Sequence, residues 1–268
     1  MSSPDLPPVS DADIDTLVSA GTLLLALDVD GTLAGFSTDP MSVRLVPDAH
    51  RAVQVLRQLP HTTVMLLSGR DLSQLRVITG YEPVPVPTAE DIRLVGSHGA
   101  EPADVAVSVL TDVQAALLDQ VTSLAEEYAG LVEGMWVERK PFSRGLHRRG
   151  VPDGAAAVRA TEHFRAAVTE LDGVHVTDGK DILEVAVTDM TKGRYLQWYT
   201  GTTEPDRVLF VGDDVTDETA LGILRPQDLG VKVGAGETTA SRRVADPSAV
   251  GELLLRIAAA RGARGLRP

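Results

Sequence analysis

Three apolar runs in this chain end in side chains able to do chemistry. "LLAL" (24–27) leads into Asp28-Val29-Asp30-Gly31-Thr32, "VMLL" (64–67) into Ser68-Gly69-Arg70, and "RVLFVG" (207–212) into Asp213-Asp214. Aspartate is a poor strand residue, and two aspartates at i and i+2 of an extended segment share a face and repel. Such an arrangement is worth holding where something offsets the charge. A few carboxylates with waters and a phosphate form the usual environment of Mg²⁺. Each feature alone has a plainer use: paired acids or Ser68 suit a helix N-cap, and Lys192 alone suits a solvated surface.

The three tips can meet only if the runs are parallel neighbours in one sheet, because ligands of open α/β sheets bind beyond the carboxyl ends of the strands. The chain supplies the alternation that this needs. Leu23–Leu27 is apolar throughout, as a strand buried on both faces should be. Residues 47–59 form a helix with Pro47 in its first turn, 62–70 a strand, 71–78 a helix and 92–101 a third strand. The pattern then changes. Residues 111–129 read as a long helix, 134–150 as two strands turning near Pro141, 153–171 as a helix and 174–185 as a hairpin around Asp178-Gly179. The first pattern resumes with a helix from 191 to 200, strands at 207–214 and 229–234, and a helix at 247–260. The expected fold class is α/β, a Rossmann-like parallel-sheet core with an inserted smaller α+β domain. The boundaries are 11–103 and 187–268 for a discontinuous core, and 104–186 for the insert.

Composition narrows the partners. The 268 residues are 43% hydrophobic and carry a net charge of -13. That allows a packed core, and it opposes a nucleic-acid surface, which needs clustered Lys and Arg. With no cysteine, disulfides, zinc thiolates and cysteine nucleophiles are excluded. "MSSPDLPPVS" has neither a basic start nor an apolar stretch, so no signal peptide is expected. No uncharged run reaches membrane-spanning length. The expectation is a cytoplasmic monomer with a small-molecule partner, no nucleic acid and no membrane.

Taken together, "DVDGT" (28–32), Ser68, Lys192 and "GDD" (212–214) resemble the four motifs of the haloacid dehalogenase superfamily of phosphotransferases, in order along the chain. The resemblance implies a core of that type and roles for its residues. Asp28 would be the nucleophile and form an aspartyl-phosphate. Asp30 would protonate the leaving oxygen and then activate water. Ser68 would bond a phosphoryl oxygen, and Lys192 would neutralise the phosphate and Asp28. Asp28, the Asp30 carbonyl and Asp213 would hold Mg²⁺, with Asp214 supporting ligation from close by.

The insert adds Glu138/Lys140 with His147/Arg149, and Gly179-Lys180 with Glu184. The core adds Ser68-Gly69-Arg70, His98 to Glu101, Lys192-Gly193 and Gly212 to Glu218. This set is similar to the trehalose-6-phosphate phosphatase family over roughly residues 22–258. It implies that the insert is a mobile cap. Arg70, His98 and Gly99 would line the core side of the cleft. Lys140, Arg149 and Lys180 would approach phosphate or sugar from the cap, Glu138 and Glu184 would bond sugar hydroxyls, and His147 belongs to the same hairpin motif. The chain departs from the family pattern at Ser97 (commonly Asn), at Arg148 (commonly aromatic), after Glu184 and in the Pro-rich stretch 82–91. Read singly, Glu138, Arg144 and Arg148 suit a solvated hairpin, His147 a packed strand, His98 a tight turn, and Trp136 and Trp198 packing on apolar faces. A phosphatase of sucrose 6-phosphate or a mannosyl phosphate keeps the chemistry and changes the sugar. A phosphoaspartate signalling module also places acids at strand tips, but needs neither Asp30-Gly31-Thr32 nor the insert.

Overall fold

The computed structural model describes residues 6–37, 39–88, 90–104, 110–179 and 181–265. Its elements follow in chain order as α1 (Asp11–Val18), β1 (Leu23–Leu27), α2 (Pro47–Leu56), β2 (Thr62–Leu67), α3 (Leu72–Thr79), β3 (Arg93–Gly96) and β4 (Glu101–Pro102). Then come α4 (Asp112–Gly130), β5 (Trp136–Arg139), β6 (Ser143–His147), α5 (Gly154–Thr169), β7 (His175–Gly179) and β8 (Ile182–Ala186). The chain closes with α6 (Lys192–Thr203), β9 (Arg207–Gly212), α7 (Glu218–Leu221), β10 (Leu229–Val233), β11 (Arg242–Val244) and α8 (Pro247–Gly265). The described residues divide into two compact units, one drawn from 1–107 and 190–268, the other from 108–189. No helix among them is long and apolar enough to cross a membrane.

The first unit is a seven-stranded sheet in the order β11-β10-β9-β1-β2-β3-β4. Every pairing is parallel except the short β3–β4 pair. β1 is central, and all five of its residues are buried. Its alternate side chains serve two cores: Leu23, Leu25 and Leu27 pack with α1, α2, α3 and α8, while Leu24 and Ala26 pack with α6 and α7. From β1 the chain runs outward to β2 and β3, and later returns on the other side as β9 and β10. The strand order therefore reverses between β1 and β9, which is where an open α/β sheet opens a crevice at its carboxyl edge.

Local signals explain most element ends. Pro47 opens α2, Asp71 caps α3 through the Gln74 N–H and Gly80 ends it in the left-handed region, and Thr191 caps α6 through the Arg194 N–H. Helix α1 has no counterpart in the sequence reading. Its signal is the reciprocal capping box between Ser10 and Asp13. The strand read over 92–101 is shorter: it stops at Gly96, because Ser97 and His98 take φ of 49° and 55° and turn the chain.

The second unit is a four-stranded antiparallel sheet in the order β5-β6-β8-β7. Leu146, Leu183 and Val185 pack against Val121, Ala125, Phe164 and Val168 of α4 and α5. Side chains alternate along a strand, so the opposite face carries Trp136, Glu138, Ser143, Gly145, His147, Ile182 and Glu184. The hairpin turns later than the sequence implied. Asp178 and Gly179 remain in β7, paired with Leu183 and Ile182, and Asp181 takes a φ of 62°. Pairing of Gly179 to Ile182 makes the connection tight, and the left-handed conformation of Asp181 suits it. Neither tryptophan is the packing residue expected. Trp136 is 49% exposed on the face away from the helices, its ring stacked on His147 at 3.9 Å, and Trp198 is 52% exposed on α6.

At the amino edge of the first sheet, Arg261 of α8 is buried and donates to the carbonyls of Val18, Ala20, Gly21 and His61. It shares the His61 carbonyl with the Leu23 N–H of β1 and satisfies the Val18, Ala20 and Gly21 carbonyls of the turn between α1 and β1. Arg261→Met orphans them and should lower unfolding stability by about 2–4 kcal/mol. Urea denaturation checks this, and an unchanged midpoint contradicts it.

Candidate active site

β1 and β9 lie in register, Leu27 beside Val211, and the Asp28 N–H donates to the Val211 carbonyl at 3.0 Å. The pairing delivers Asp28 and Asp213 to the same end of the sheet. Gly31, at a φ of 80°, turns the chain directly after the acids, and a Cβ there would collide with the Asp213 carboxylate. Only glycine suits both requirements.

Asp28, Asp213 and Asp217 form one group, each offering a carboxylate oxygen within 4.8 Å of the others. Asp28 is 4% exposed and Asp217 fully buried. Lys192, at the start of α6 and 3% exposed, donates to Asp28 Oδ1 at 2.6 Å and to Asp217 Oδ1 at 2.7 Å. The second oxygen of Asp217 accepts the backbone N–H groups of Asp213 and Asp214, both at 3.0 Å. Asp217 is thus committed to holding Lys192 and the β9–α7 loop. Asp28 Oδ2 and the Asp213 carboxylate accept no hydrogen bond among the described residues. Those oxygens fit a hard divalent cation, for which carboxylate oxygen is the usual ligand.

The charges of the group point the same way. Burial pushes the Asp28 carboxyl well above its ordinary value, and Asp217 pushes it further, with Lys192 opposing. Asp213 is pushed up to about 6, by burial first and then by Asp217 and Asp214, while Lys192 and Lys232 oppose the shift. For Lys192, burial works against the charge, but Asp217 and Asp28 outweigh it and the pKa rises. The acids carry more negative charge than one lysine offsets, and a cation would remove the excess.

The other core residues named from sequence lie around this group. Asp30 is bound by Arg70 through two contacts, Nε to Oδ2 at 2.7 Å and NH2 to Oδ1 at 2.6 Å, and Arg70 NH1 also donates to the Pro40 carbonyl. The guanidinium orients the Asp30 carboxylate, and each oxygen keeps a second lone pair. Ser68 is buried, its Oγ accepting the Arg70 N–H at 3.2 Å. The His98 N–H donates to the Ser68 carbonyl at 2.9 Å, and the imidazole covers Gly69, where a Cβ would strike the ring. Gly99, at a φ of 107°, closes the same turn against Tyr195. Glu101 ties that turn to α3 by accepting from Ser97 Oγ and the Leu72 N–H, both at 3.1 Å. Asp214 is exposed and lies outside the three-acid group. Asp217 is the member that sequence reading passed over, although it stands at i+4 from Asp213 in the same "GDDVTDE" stretch.

In the second unit, His147 Nε2 lies 3.1 Å from Glu138 Oε2. Lys140 donates to Glu184 at 2.9 Å, and Ser143 Oγ donates to its other oxygen at 2.6 Å. Arg149 is exposed in the turn after β6, so it does not share a strand face with His147. Lys180 lies outside the described residues. Arg144, read singly as solvated, instead reaches Thr122 of α4 at 2.7 Å and the carbonyls of Lys140 and Ser143.

The raised pKa of Asp213 sets the sign of a stability test. Its folded value of about 6 exceeds the reference 3.8, so ionisation at neutral pH weakens the fold, and the strain vanishes below the reference value. With divalent cations removed, Asp213→Asn should stabilise the protein by about 1–2 kcal/mol near pH 7.5 and by nothing near pH 4. Thermal melts at the two pH values check this; a destabilised Asn variant near pH 7.5 contradicts it.

The trehalose-phosphatase family model matches residues 26–250. The chain is 32% identical over 224 residues to a trehalose-phosphate phosphatase of Mycobacterium leprae, covering 76% of this chain and 48% of that protein. It is 29% identical over 252 residues to one of Mycobacterium marinum, covering 86% and 60%. The chain therefore spans about half to three fifths of the length of these relatives. Among solved structures, the C-terminal domain of Candida albicans trehalose-6-phosphate phosphatase superposes with a TM-score of 0.76 at 22% identity, covering 95% of this chain and 99% of that one. A phosphatase of the haloalkanoate (HAD) superfamily from Bacteroides thetaiotaomicron superposes at 0.60 with 17% identity, covering 95% and 99%. These likenesses show a fold of the haloacid dehalogenase type, and the family match, which takes in both "DVDGT" and "GDDVTDE", places this chain in the trehalose-phosphatase family.

Proposed function

We propose that the protein is a Mg²⁺-dependent phosphatase that hydrolyses trehalose 6-phosphate to trehalose and phosphate through an aspartyl-phosphate on Asp28. It would close trehalose biosynthesis. The observation that carries this reading is a buried aspartate with one oxygen fixed by Lys192 and the other open, at the switch point of the sheet. Family membership supplies the substrate class.

An Asp28 oxygen attacks phosphorus while the bond from phosphorus to the sugar oxygen breaks. Asp30, turned by Arg70, gives a proton to the departing oxygen, then takes one from the water that attacks the phosphoenzyme. The second attack releases phosphate and regenerates the Asp28 carboxylate, so each proton and oxygen is accounted for. Ser68 Oγ donates to a phosphoryl oxygen, and Lys192 holds charge against both nucleophile and phosphate. A carboxylate meeting a phosphate dianion at about 4 Å faces roughly 8 kcal/mol of repulsion at an effective dielectric of 20. Asp28 and Asp213, with the Asp30 carbonyl, would hold Mg²⁺, which would supply positive charge against that repulsion. Asp217 keeps Lys192 and the loop in place, and Asp214 acts from outside the group.

Arg70, His98 and Gly99 bound the phosphate end of the substrate. In the second unit, which we read as a cap, Glu138 and Glu184 take sugar hydroxyls and Lys140, His147, Arg149 and Lys180 contribute donors. The hydrogen-bonded pairs Glu138–His147 and Lys140–Glu184 support that reading, because each pre-orients a polar head that a disaccharide could meet. A cytoplasmic location and a monomeric state belong to the proposal.

Phosphate release from trehalose 6-phosphate should fall by more than about a thousandfold in Asp28→Asn. It should stop when the cation is chelated and return with Mg²⁺. Across a panel with sucrose 6-phosphate, glucose 6-phosphate and a mannosyl phosphate, kcat/KM should be highest for trehalose 6-phosphate. Equal turnover across the panel overturns the substrate. A phosphoprotein that persists without turnover favours a signalling module instead.

A further inference from the structure

Lys232 is a buried lysine with no part in the reaction just described. It is 3% exposed and sits on β10 opposite Gly212, the last residue of β9. Its ammonium donates to the Asp213 carbonyl and, at 3.3 Å, to the Val233 carbonyl. Among the described residues, no carboxylate bonds it. Lysines are rarely buried so completely without an acidic partner, and burying an ammonium is costly unless something compensates.

What compensates is the acid group one residue away. Asp28, Asp213 and Asp217 bring three negative charges and Lys192 one positive, so Lys232 is the second cation and leaves an excess of one. The hydrogen bond is the more specific clue. Asp213 is gripped on both sides of its own residue: Asp217 Oδ2 accepts its N–H at 3.0 Å, and Lys232 holds its carbonyl. Among the described residues, its carboxylate accepts no hydrogen bond. A backbone fixed at both flanks with a free carboxylate is what a preformed ligand needs.

We infer that Lys232 is a positioning residue that pins the Asp213 carbonyl and so presents the Asp213 carboxylate to a divalent cation. The inference rests on the reading of the acid group as a Mg²⁺ site. The two effects of Lys232 on a cation oppose each other. Its charge repels the ion, whereas its grip on the loop saves the ordering that the ion would otherwise have to impose. The inference holds that the grip wins.

The test is thermal melting of the substrate-free full chain across a MgCl2 titration, for wild type, Lys232→Met and Lys232→Arg. Ion binding to the native state raises the melting temperature, and the half-maximal Mg²⁺ concentration is the readout. The melt without Mg²⁺ reports any general loss of structure separately. Lys232→Met, close in shape but without a donor, should raise the half-maximal concentration about tenfold or more. Lys232→Arg keeps a donor at the carbonyl and should stay within about threefold of wild type. If the Met variant does not melt cooperatively, Lys232→Leu, also neutral and without a donor, should show the same rise. A neutral variant with an unchanged or lower half-maximal concentration overturns the inference, a lower one being the result of charge removal alone. Wild type that gains no stability from Mg²⁺ overturns instead the reading of the acids as a metal site.

Discussion

Mutual repulsion among Asp28, Asp213 and Asp217 is the interaction on which the rest of the first unit depends. Charges about 5 Å apart repel by roughly 3 kcal/mol per pair at an effective dielectric of 20, and these carboxylates lie within 4.8 Å of one another in a buried place. Left alone, such a group would protonate or move apart. It is held because Lys192 bridges two of the acids and because the backbone gives none of them room to leave. The negative charge left over is what would draw a cation to the proposed metal site.

The fold supplies the rigidity in layers. β1 is buried along its whole length between β2 and β9, so Asp28 leaves the sheet from its central strand. Gly31 clears the space that Asp213 occupies. Asp217 collects the N–H groups of Asp213 and Asp214 and turns the loop back on itself, and Lys232 closes it from β10. On the other side, Arg70 fixes Asp30 from the β2–α3 turn, and the Ser97–His98 turn is bonded to the backbone of Ser68 and Arg70. Each device spends local conformational freedom to hold one polar group where water would otherwise take it.

Much of this was legible in the sequence because it depends on short-range patterns. Buried strands write themselves as unbroken apolar runs, so Leu23–Leu27 reads directly, and the acids after β1 and β9 announce the crevice. What escaped depends on partners distant in the chain or on the exact register. Asp217 stood inside the Gly212 to Glu218 stretch without a role of its own, and only the fold shows Lys192 reaching it from α6. Asp214, adjacent to Asp213, faces solvent because the loop turns between them. The hairpin turns after Gly179 rather than at 178–179, because pairing register, rather than the Asp-Gly signal, decides it. Trp136 looked like packing because aromatics usually bury, but strand alternation sets it on the face without helices. Arg70 was expected to line the core side of the cleft; its bidentate grip on Asp30 is visible only in three dimensions.

The central claim is that this crowded group exists to make Asp28 a nucleophile toward phosphorus. Acid-quenched mass spectrometry of the protein, mixed briefly with trehalose 6-phosphate and Mg²⁺, tests it most directly. The account predicts the mass of one phosphoryl group on the peptide that contains Asp28, formed and lost within a turnover and absent from Asp28→Asn. A phosphoryl group on another residue, or rapid phosphate release with no phosphorylated peptide at any quench time, would contradict it.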